Sequence, residues 1–284
     1  MTMLKTPGAP SIFSVPSYIN GDTYNAGGLV ASTMQTLAHR LYQMDPSAIW
    51  QGSAGASDSD TETFTVTFYA GSLAVQRVID TILILNNNLN NFSLDYSTNS
   101  GSTWTNIATV TGNGGLDYQL FLASPITIPA TTGRLKLTMT TTLPANLQKF
   151  VGNFIATQSL FQLGVSTTPI RPQSKFVTKP AQTVKQVMLA DGTIDSTYFF
   201  WSDNSCILND LEFEFDLAPI SDKLNIDALM ASAQAFLCYP EPGDNIRNIY
   251  LCVFSPGTYQ PQYTSSWKGA GYKLPFTLKQ VGYV

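Results

Sequence analysis

Charged residues are scarce in this chain. Of its 284 residues, only 12% are Asp, Glu, Lys or Arg, whereas globular proteins usually contain about 25%. The net charge is −4, so the sequence lacks the basic surplus that proteins use to bind nucleic acid. The polar surface must be built from Thr, Ser, Asn and Gln instead. This composition favours a β-rich extracellular or virion-type surface over a cytosolic enzyme.

Histidine and cysteine are also rare, which excludes most familiar catalytic and metal-binding arrangements. His39 is the only histidine; a catalytic triad would have to use it, and we expect a structural or surface role. The three cysteines, Cys206, Cys238 and Cys252, form no C-x-x-C pair, which argues against a disulfide framework or a zinc site. We expect small buried thiols. The sequence contains no G-x-S-x-G motif and no phosphate-binding glycine loop.

Long apolar runs are missing too. No segment approaches the roughly 20 apolar residues that span a bilayer. The first residues, MTMLKTPGAPSIF, contain no apolar stretch suited to a signal peptide. We therefore expect no membrane insertion and no export signal. Together with the surface-type composition, this fits a virion protein that is assembled in the host cytoplasm.

The sequence does contain a succession of short β-type runs. Phe64, Val66 and Phe68 alternate with threonines, which is the period of a half-buried strand. The nearly continuous apolar run 79–85 predicts a central strand, whereas residues 28–44 leave a helix or short strands open. Further strands are predicted at Thr103–Val110, Tyr118–Leu122, Leu135–Met139 and Asn153–Leu163. Strands at this spacing indicate a sandwich.

The most informative segment is 91–104, NFSLDYSTNSGSTW. An alternating strand is followed by Ser97, Gly101 and Trp104, spaced S-x-x-x-G-x-x-W. Over roughly residues 28–163 the chain resembles the galactose-binding-like (discoidin-type) β-sandwich family. The resemblance implies that the serine ends a strand, the glycine makes the hairpin turn and Trp104 packs back onto the sheet as a core residue. That fold serves glycan binding, partner docking and structural roles alike.

Prolines mark two segments as extended. Residues 1–27 contain three prolines near their start and predict an N-terminal arm. Residues 164–182 contain three more, together with Arg171, Lys175 and Lys179 and no acidic residue. They predict a Pro-rich basic linker or arm between two domains.

The remaining segment, 183–284, is predicted to be a smaller domain. Asp191 and Gly192 signal a hairpin, and 221–233 shows a helical pattern with Ser221 as its cap. Sheet, one helix, more sheet and an aromatic-rich last strand resemble the ring-forming domain of phage distal tail and tube proteins. The predicted fold class is therefore mainly β: a galactose-binding-like jelly-roll sandwich followed by an α+β domain with one helix.

The predicted strand Leu211–Leu217, LEFEFDL, carries a stripe of acidic residues. Glu212, Glu214 and Asp216 lie on one face. Carboxylates in a row on one strand do not form the opposed pair of a glycosidase, so no catalytic residue is assigned. One interpretation is an amphipathic strand with a solvated face. The other is a subunit interface, in which the three basic residues of a neighbouring copy's 164–182 segment pair with this stripe.

A second acidic stretch, ASDSDTETF, carries Asp58, Asp60 and Glu62 at alternate positions. Oxygen ligands at such spacing can hold Ca²⁺, and galactose-binding-like domains often carry a structural calcium. Asp58 and Asp60 are therefore weak calcium candidates. The alternative is a solvated acidic loop, and no other metal or cofactor is expected.

These features predict a non-enzymatic structural protein of a bacteriophage tail tip or baseplate, resembling a distal tail protein. It would form a homo-oligomeric ring, a trimer or hexamer, that contacts tube, hub and tail-fibre proteins and reaches host-surface glycan. The alternative is a stand-alone carbohydrate-binding module or adhesin, and a glycan-degrading enzyme is the third hypothesis. Oligomeric state separates the first two, because a lectin module can be monomeric.

Overall fold

The computed structural model of the protein describes residues 11–43, 48–53, 58, 60–163, 175–180, 183–188, 194–200, 209–239, 249–255, 257–266 and 269–283. The first thirteen strands are β1 Ser11–Ser14, β2 Leu29–Ala31, β3 Trp50–Gln51, β4 Glu62–Val66, β5 Tyr69–Ala70, β6 Leu73–Ala74, β7 Arg77–Asn87, β8 Leu89–Ser97, β9 Thr105–Val110, β10 Tyr118–Ile128, β11 Arg134–Thr142, β12 Phe150–Thr157 and β13 Ser159–Leu163.

The later strands are β14 Lys175–Pro180, β15 Thr183–Met188, β16 Ile194–Phe200, β17 Asn209–Ala218, β18 Phe236–Tyr239, β19 Tyr250–Phe254, β20 Gln262–Ser266 and β21 Gly269–Tyr283. The helices are α1 Gly21–Asn25, a 3₁₀ helix Gln35–Tyr42 and α2 Ile220–Ser232. No described helix is long and apolar enough to cross a bilayer.

Two antiparallel sheets form a sandwich. One has the strand order β10-β7-β12-β3, and the other has the order β2-β4-β11-β8-β9. Their facing side chains enclose a core in which Trp50, Phe64 and Phe154 are fully buried. The Trp50 ring stands edge-on to Phe64, with ring centroids 4.5 Å apart. The predicted mainly β class and the predicted sandwich are both confirmed.

A third sheet covers the outer face of β7 and β12. Its order is β13-β1-β18-β19-β21-β17-β14, and β20 pairs with β21. Leu83 and Ile155 point away from the sandwich core and pack against Leu237 and Tyr239 of β18. Successive side chains of a strand point to opposite faces, so a strand between two layers needs apolar residues at nearly every position. This explains the nearly continuous apolar run 79–85.

Helix α2 closes a second core on the far side of the third sheet. Ile226 and Leu229 pack with phenylalanines from β17 and β21, and the rings of Phe213 and Phe276 stack with centroids 5.0 Å apart. The predicted helix at 221–233 is thus confirmed to within one residue at each end. The layers follow the order sheet, sheet, sheet, helix.

The third sheet takes strands from four of the predicted segments, so two predictions need correction. β1 lies in the predicted N-terminal arm and pairs with β13 and β18. β14 lies in the predicted linker and pairs with β17. The arm prediction is wrong for 11–14 because Ile12 and Phe13 are buried on opposite faces of the strand. Whether 28–163 and 183–284 fold independently stays a prediction.

The segment 28–44 contains both alternatives that its sequence left open. β2 pairs with β4, and the 3₁₀ helix follows it over Gln35–Tyr42. In the last segment β15 and β16 pair antiparallel, as the hairpin signal predicts; the turn itself lies outside the described residues.

The buried thiols of the third sheet give a first testable prediction. Cys238 and Cys252 are buried and free, as expected, and Cys206 lies outside the described residues. Burial raises the pKa of both described thiols far above its ordinary value, so neither forms a reactive thiolate at neutral pH. In a Cys206→Ser variant we expect DTNB to modify no thiol in the native protein and both thiols after unfolding. Rapid modification of the native variant would contradict this placement.

Candidate functional site at the asparagine-rich end

Three polar segments meet at one end of the sandwich. They are 86–91, 111–117 and 142–149, which we call the asparagine-rich end. Antiparallel pairing brings them together, because Leu89 lies opposite Thr142 and Ile84 lies opposite Tyr118. Each segment enters or leaves a long strand, so the sheets fix their positions.

Two buried asparagines tie these segments to one another. The Asn87 amide donates to the carbonyls of Ile84 and Leu116 at 3.3 and 3.1 Å. The Asn88 amide donates to the Gln148 carbonyl at 2.9 Å, and its oxygen accepts from the Phe150 N–H at 2.9 Å. Asn87 thus ties 86–91 to 111–117, and Asn88 ties 86–91 to 142–149 and the start of β12, so the loops form one rigid unit.

Partly exposed asparagines hold the glycine turn of 111–117. The side-chain oxygen of Asn91 accepts from the Gly112 N–H at 2.9 Å, and that of Asn90 accepts from the Gly114 N–H at 3.2 Å. Both glycines adopt left-handed φ angles, 72° and 70°, which residues with a side chain rarely adopt. The Asn113 N–H donates to the Asn90 carbonyl at 2.8 Å. The turn is therefore fixed before any ligand arrives.

Exposed apolar side chains stand beside these amides. Leu116, Leu143 and Leu147 are 69%, 50% and 45% exposed. Asp117 lies next to Leu116, and its carboxylate accepts from the Asn86 N–H at 2.6 Å. The surface thus combines apolar contact area with oriented amides and a carboxylate.

The predicted calcium ligands lie at the same end of the sandwich, where they accept hydrogen bonds from the protein. The Asp58 carboxylate accepts from the Thr142 N–H at 2.9 Å and from the Thr142 hydroxyl at 3.2 Å. The Thr142 N–H is the main cause that lowers the pKa of Asp58. The Asp60 carbonyl accepts from the ammonium of Lys149 at 2.7 Å, and Lys149 is fully buried.

Glu62, the third acidic residue of that stretch, is buried at the start of β4. Its carboxylate accepts from the Thr33 hydroxyl at 2.7 Å and from the Ser53 N–H at 3.0 Å. The described residues contain no group of three or more His, Cys, Asp or Glu that could hold a metal. The contacts of Asp58, Asp60 and Glu62 fasten the loop to its neighbours, and calcium binding at Asp58 and Asp60 stays a prediction.

We therefore expect calcium to leave stability unchanged. The melting temperature should be the same in EDTA and in excess Ca²⁺, because hydrogen-bond donors of the protein already occupy Asp58 and the Asp60 carbonyl. Differential scanning fluorimetry measures this directly. A calcium-dependent rise that Asp58→Asn abolishes would establish the site that the sequence suggests.

The S-x-x-x-G-x-x-W segment lies at the opposite end of the sandwich. Ser97 ends β8, and its hydroxyl oxygen accepts from the N–H groups of Asn99 and Gly101 at 3.2 and 2.9 Å. Gly101 has a left-handed φ of 87°. The structure thus has the strand end and the glycine turn that the resemblance implies.

Trp104, however, is only half buried, so its predicted place in the core is wrong. The Lys136 ammonium lies 4.0 Å from its ring centroid, and a Cβ on Gly101 would lie 3.2 Å from the ring. The ring lies over the turn at the edge of the sandwich, covered on one face by the lysine. It does not present a free platform on which a sugar could stack.

Two strands that carry residues of the predicted subunit interface pair within one chain. In the pairing of β14 with β17, Lys175 lies opposite Glu214 and Lys179 lies opposite Asp210, while Glu212 lies opposite Val177. On the other side, Lys273 pairs with Glu214 at 3.1 Å. The acidic strand thus lies between β14 and β21 of the same chain. Arg171 and the side chains of Lys175, Lys179 and Asp216 lie outside the described part of the chain, and the interface between copies stays a prediction.

The single histidine has a local partner. His39 Nδ1 lies 2.8 Å from the Thr36 carbonyl oxygen, and its ring stands edge-on to Tyr24. These contacts place it on the 3₁₀ helix, away from the asparagine-rich end.

No protein-family model matches the sequence, and no curated protein is similar to it in sequence. Solved structures similar to part of the chain include chitosan-binding module 1 of a Paenibacillus sp. IK-5 chitosanase/glucanase, with 15% identity over 50% of this chain and 98% of the module and a TM-score of 0.38. Another is the family 32 carbohydrate-binding module of Clostridium perfringens NanJ in complex with galactose, with 13% identity over 52% and 99% and a TM-score of 0.37. A likeness at this level carries no information on what this chain binds.

Proposed function

We propose that this protein is a non-catalytic binding protein that recognises an uncharged carbohydrate at its asparagine-rich end. The observation that supports the proposal is the juxtaposition of fixed side-chain amides with exposed leucines. A sugar presents hydroxyl groups, which both donate and accept, beside apolar C–H patches. Amides also donate and accept, and the leucines supply contact area.

Preorganisation makes such a surface suited to a weakly bonding ligand. Each immobilised side chain or loop subtracts from the binding free energy. Here Asn87 and Asn88 hold the loops together, and Asn90 and Asn91 hold the glycine turn. The loops therefore lose little freedom when a ligand binds.

The charges at this end disfavour an anionic ligand. Asp58 and Asp117 bring negative charge, and the ammonium of Lys149 is buried. An acidic polysaccharide would meet like charge at close range, whereas an uncharged one would use the Asp117 carboxylate as an acceptor for its hydroxyl groups.

A glycan panel that contains neutral, anionic and amino-sugar oligosaccharides tests the proposal. We expect binding to neutral members, with an affinity that ionic strength hardly changes, because no counterions are exchanged. Leu116→Asp should abolish binding. The matched control is Leu73→Asp, because Leu73 is 73% exposed on the β5–β6 hairpin at the other end. Binding that is restricted to anionic glycans, or that is lost equally in both variants, would refute the proposal.

A structural role in a phage tail tip, with a trimeric or hexameric ring and tube, hub or tail-fibre partners, is the second candidate. Neither of the similar structures described above is a phage tail protein. The observation that favours an assembling protein is an exposed apolar stripe on α2. Light scattering would decide it, since a closed ring requires a trimer or a larger assembly at all practical concentrations.

A further inference from the structure

Helix α2 is apolar on two opposite faces. Its inner face packs Ile226 and Leu229 into the second core. Its outer face carries a stripe spaced i, i+4, i+8 and i+11, formed by Ile220, Leu224, Ala228 and Ala231, which are all exposed. Ile220 and Leu224 are 54% and 57% exposed. At 3.6 residues per turn these four side chains share one side of the helix.

A groove continues the stripe toward the edge of the third sheet. It has a volume of about 280 Å³ and lies between the last turns of α2 and the segments around β1 and β13, where Val15, Leu160, Ala228 and Ala235 help to line it. Leu160 is 46% exposed. The stripe and the groove together bring the exposed apolar side chains of α2 next to those of β13.

We propose that this face binds a second copy of the chain, with the two α2 helices packed antiparallel about a two-fold axis at the level of Asn225. The sizes of the stripe residues support this occupant. The first half of the stripe holds the large side chains and the second half holds the alanines. An antiparallel copy sets Ile220 between the levels of Ala228 and Ala231 of the other chain, so this large residue faces small ones. It sets Leu224 midway between the levels of Leu224 and Ala228 of the other chain, so the two leucines meet beside the axis.

The charges along the flank of the stripe are complementary under the same axis. Lys223 and Asp227 lie on one flank and form an ion pair at 2.6 Å. The axis at Asn225 sets Lys223 of each copy level with Asp227 of the other copy. A parallel arrangement would place lysine beside lysine and aspartate beside aspartate. The contact is thus isologous, with the same patch used by both copies.

The dimer should be dissociable rather than permanent. α2 has 13 residues, and one helix pair with its flanking groove lies at the small end of specific protein interfaces. A monomer–dimer equilibrium that shifts with protein concentration is therefore expected. It is independent of the proposed glycan binding, because α2 and the asparagine-rich end share no residues.

Sedimentation equilibrium over a wide concentration range tests the proposal. Wild type should fit a monomer–dimer model, and Leu224→Glu should be monomeric with an unchanged melting temperature, because Leu224 makes no core contact. Lys223→Asp should weaken the dimer, and the double variant Lys223→Asp/Asp227→Lys should restore it, since the swapped charges remain complementary. Leu73→Glu serves as the surface control.

Three results would overturn the proposal. They are a wild type that is monomeric at every concentration, a dimer that survives Leu224→Glu, and a double charge swap that fails to restore association while the protein stays folded. A larger ring would also overturn it, because a two-fold contact closes at the dimer.

Discussion

Replacing Trp50 with alanine should lower the free energy of unfolding by about 3–5 kcal/mol. Trp50 is fully buried, and its ring packs edge-on against Phe64. No described residue accepts a hydrogen bond from its indole N–H, so apolar packing alone accounts for its contribution. Urea denaturation followed by far-UV circular dichroism measures the change.

Trp104→Ala is the matched variant. A cation–π contact at an exposed site contributes about 0.5–1 kcal/mol, and Trp104 is only half buried. Trp104→Ala should therefore lower the free energy of unfolding clearly less than Trp50→Ala does. Equal losses for the two variants would mean that Trp104 belongs to the core, as its sequence context suggests.

Phe13→Ala should destabilise the protein by a similar amount, about 3–5 kcal/mol. Phe13 is fully buried, and its ring centroid lies 5.8 Å from that of Phe236 and 6.3 Å from that of Phe213. Its removal leaves a cavity in the second core, although the residue lies far from that core in sequence. Chemical denaturation again gives the value.

Tyr263→Ala is the control, because Tyr263 is an aromatic residue that is 66% exposed. If Phe13→Ala were as mild as this control, residues 11–14 would be an arm that contributes little to the fold, as the prolines around them suggest.

The strands that the sequence predicted well are those with a strong local signal. Phe64, Val66 and Phe68 alternate with threonines, and the run 79–85 is nearly continuous in apolar residues. Both patterns follow from which faces of the strand are covered. The glycine turn after Ser97 is also local, because its hydrogen bonds join residues four positions apart or fewer.

The misplaced elements depend on contacts that are distant in sequence. β1 pairs with β13 and β18, some 150 and 225 positions further along the chain. Such distant pairing is possible because the entropy cost of closing a loop grows only slowly with its length. The four residues Ser11–Ser14 contain no pattern that predicts which strands they pair with. Likewise, the sequence context of Trp104 suggests a core residue, and only the packing of the two sheets shows that Trp50 is the fully buried ring and Trp104 the half-buried one.

The sequence predicts the turns of the asparagine-rich end but not the contacts between them. The runs of Asn at 86–91 and Asn-Gly at 113–114 predict turns, and turns are present. What the sequence does not contain is the pairing across loops, such as the Asn91 side chain with the Gly112 N–H. These hydrogen bonds join the three loops into one surface. They form only when the strands pair in the observed register.

The most direct test of the central claim is to locate a bound carbohydrate. Hydrogen–deuterium exchange would be compared with and without the neutral oligosaccharide that binds most tightly in the glycan panel. We expect slower exchange in 86–91, 111–117 and 142–149, and no change in 98–104 at the opposite end. Protection confined to 98–104 or to α2, or a panel in which no neutral oligosaccharide binds, would contradict it.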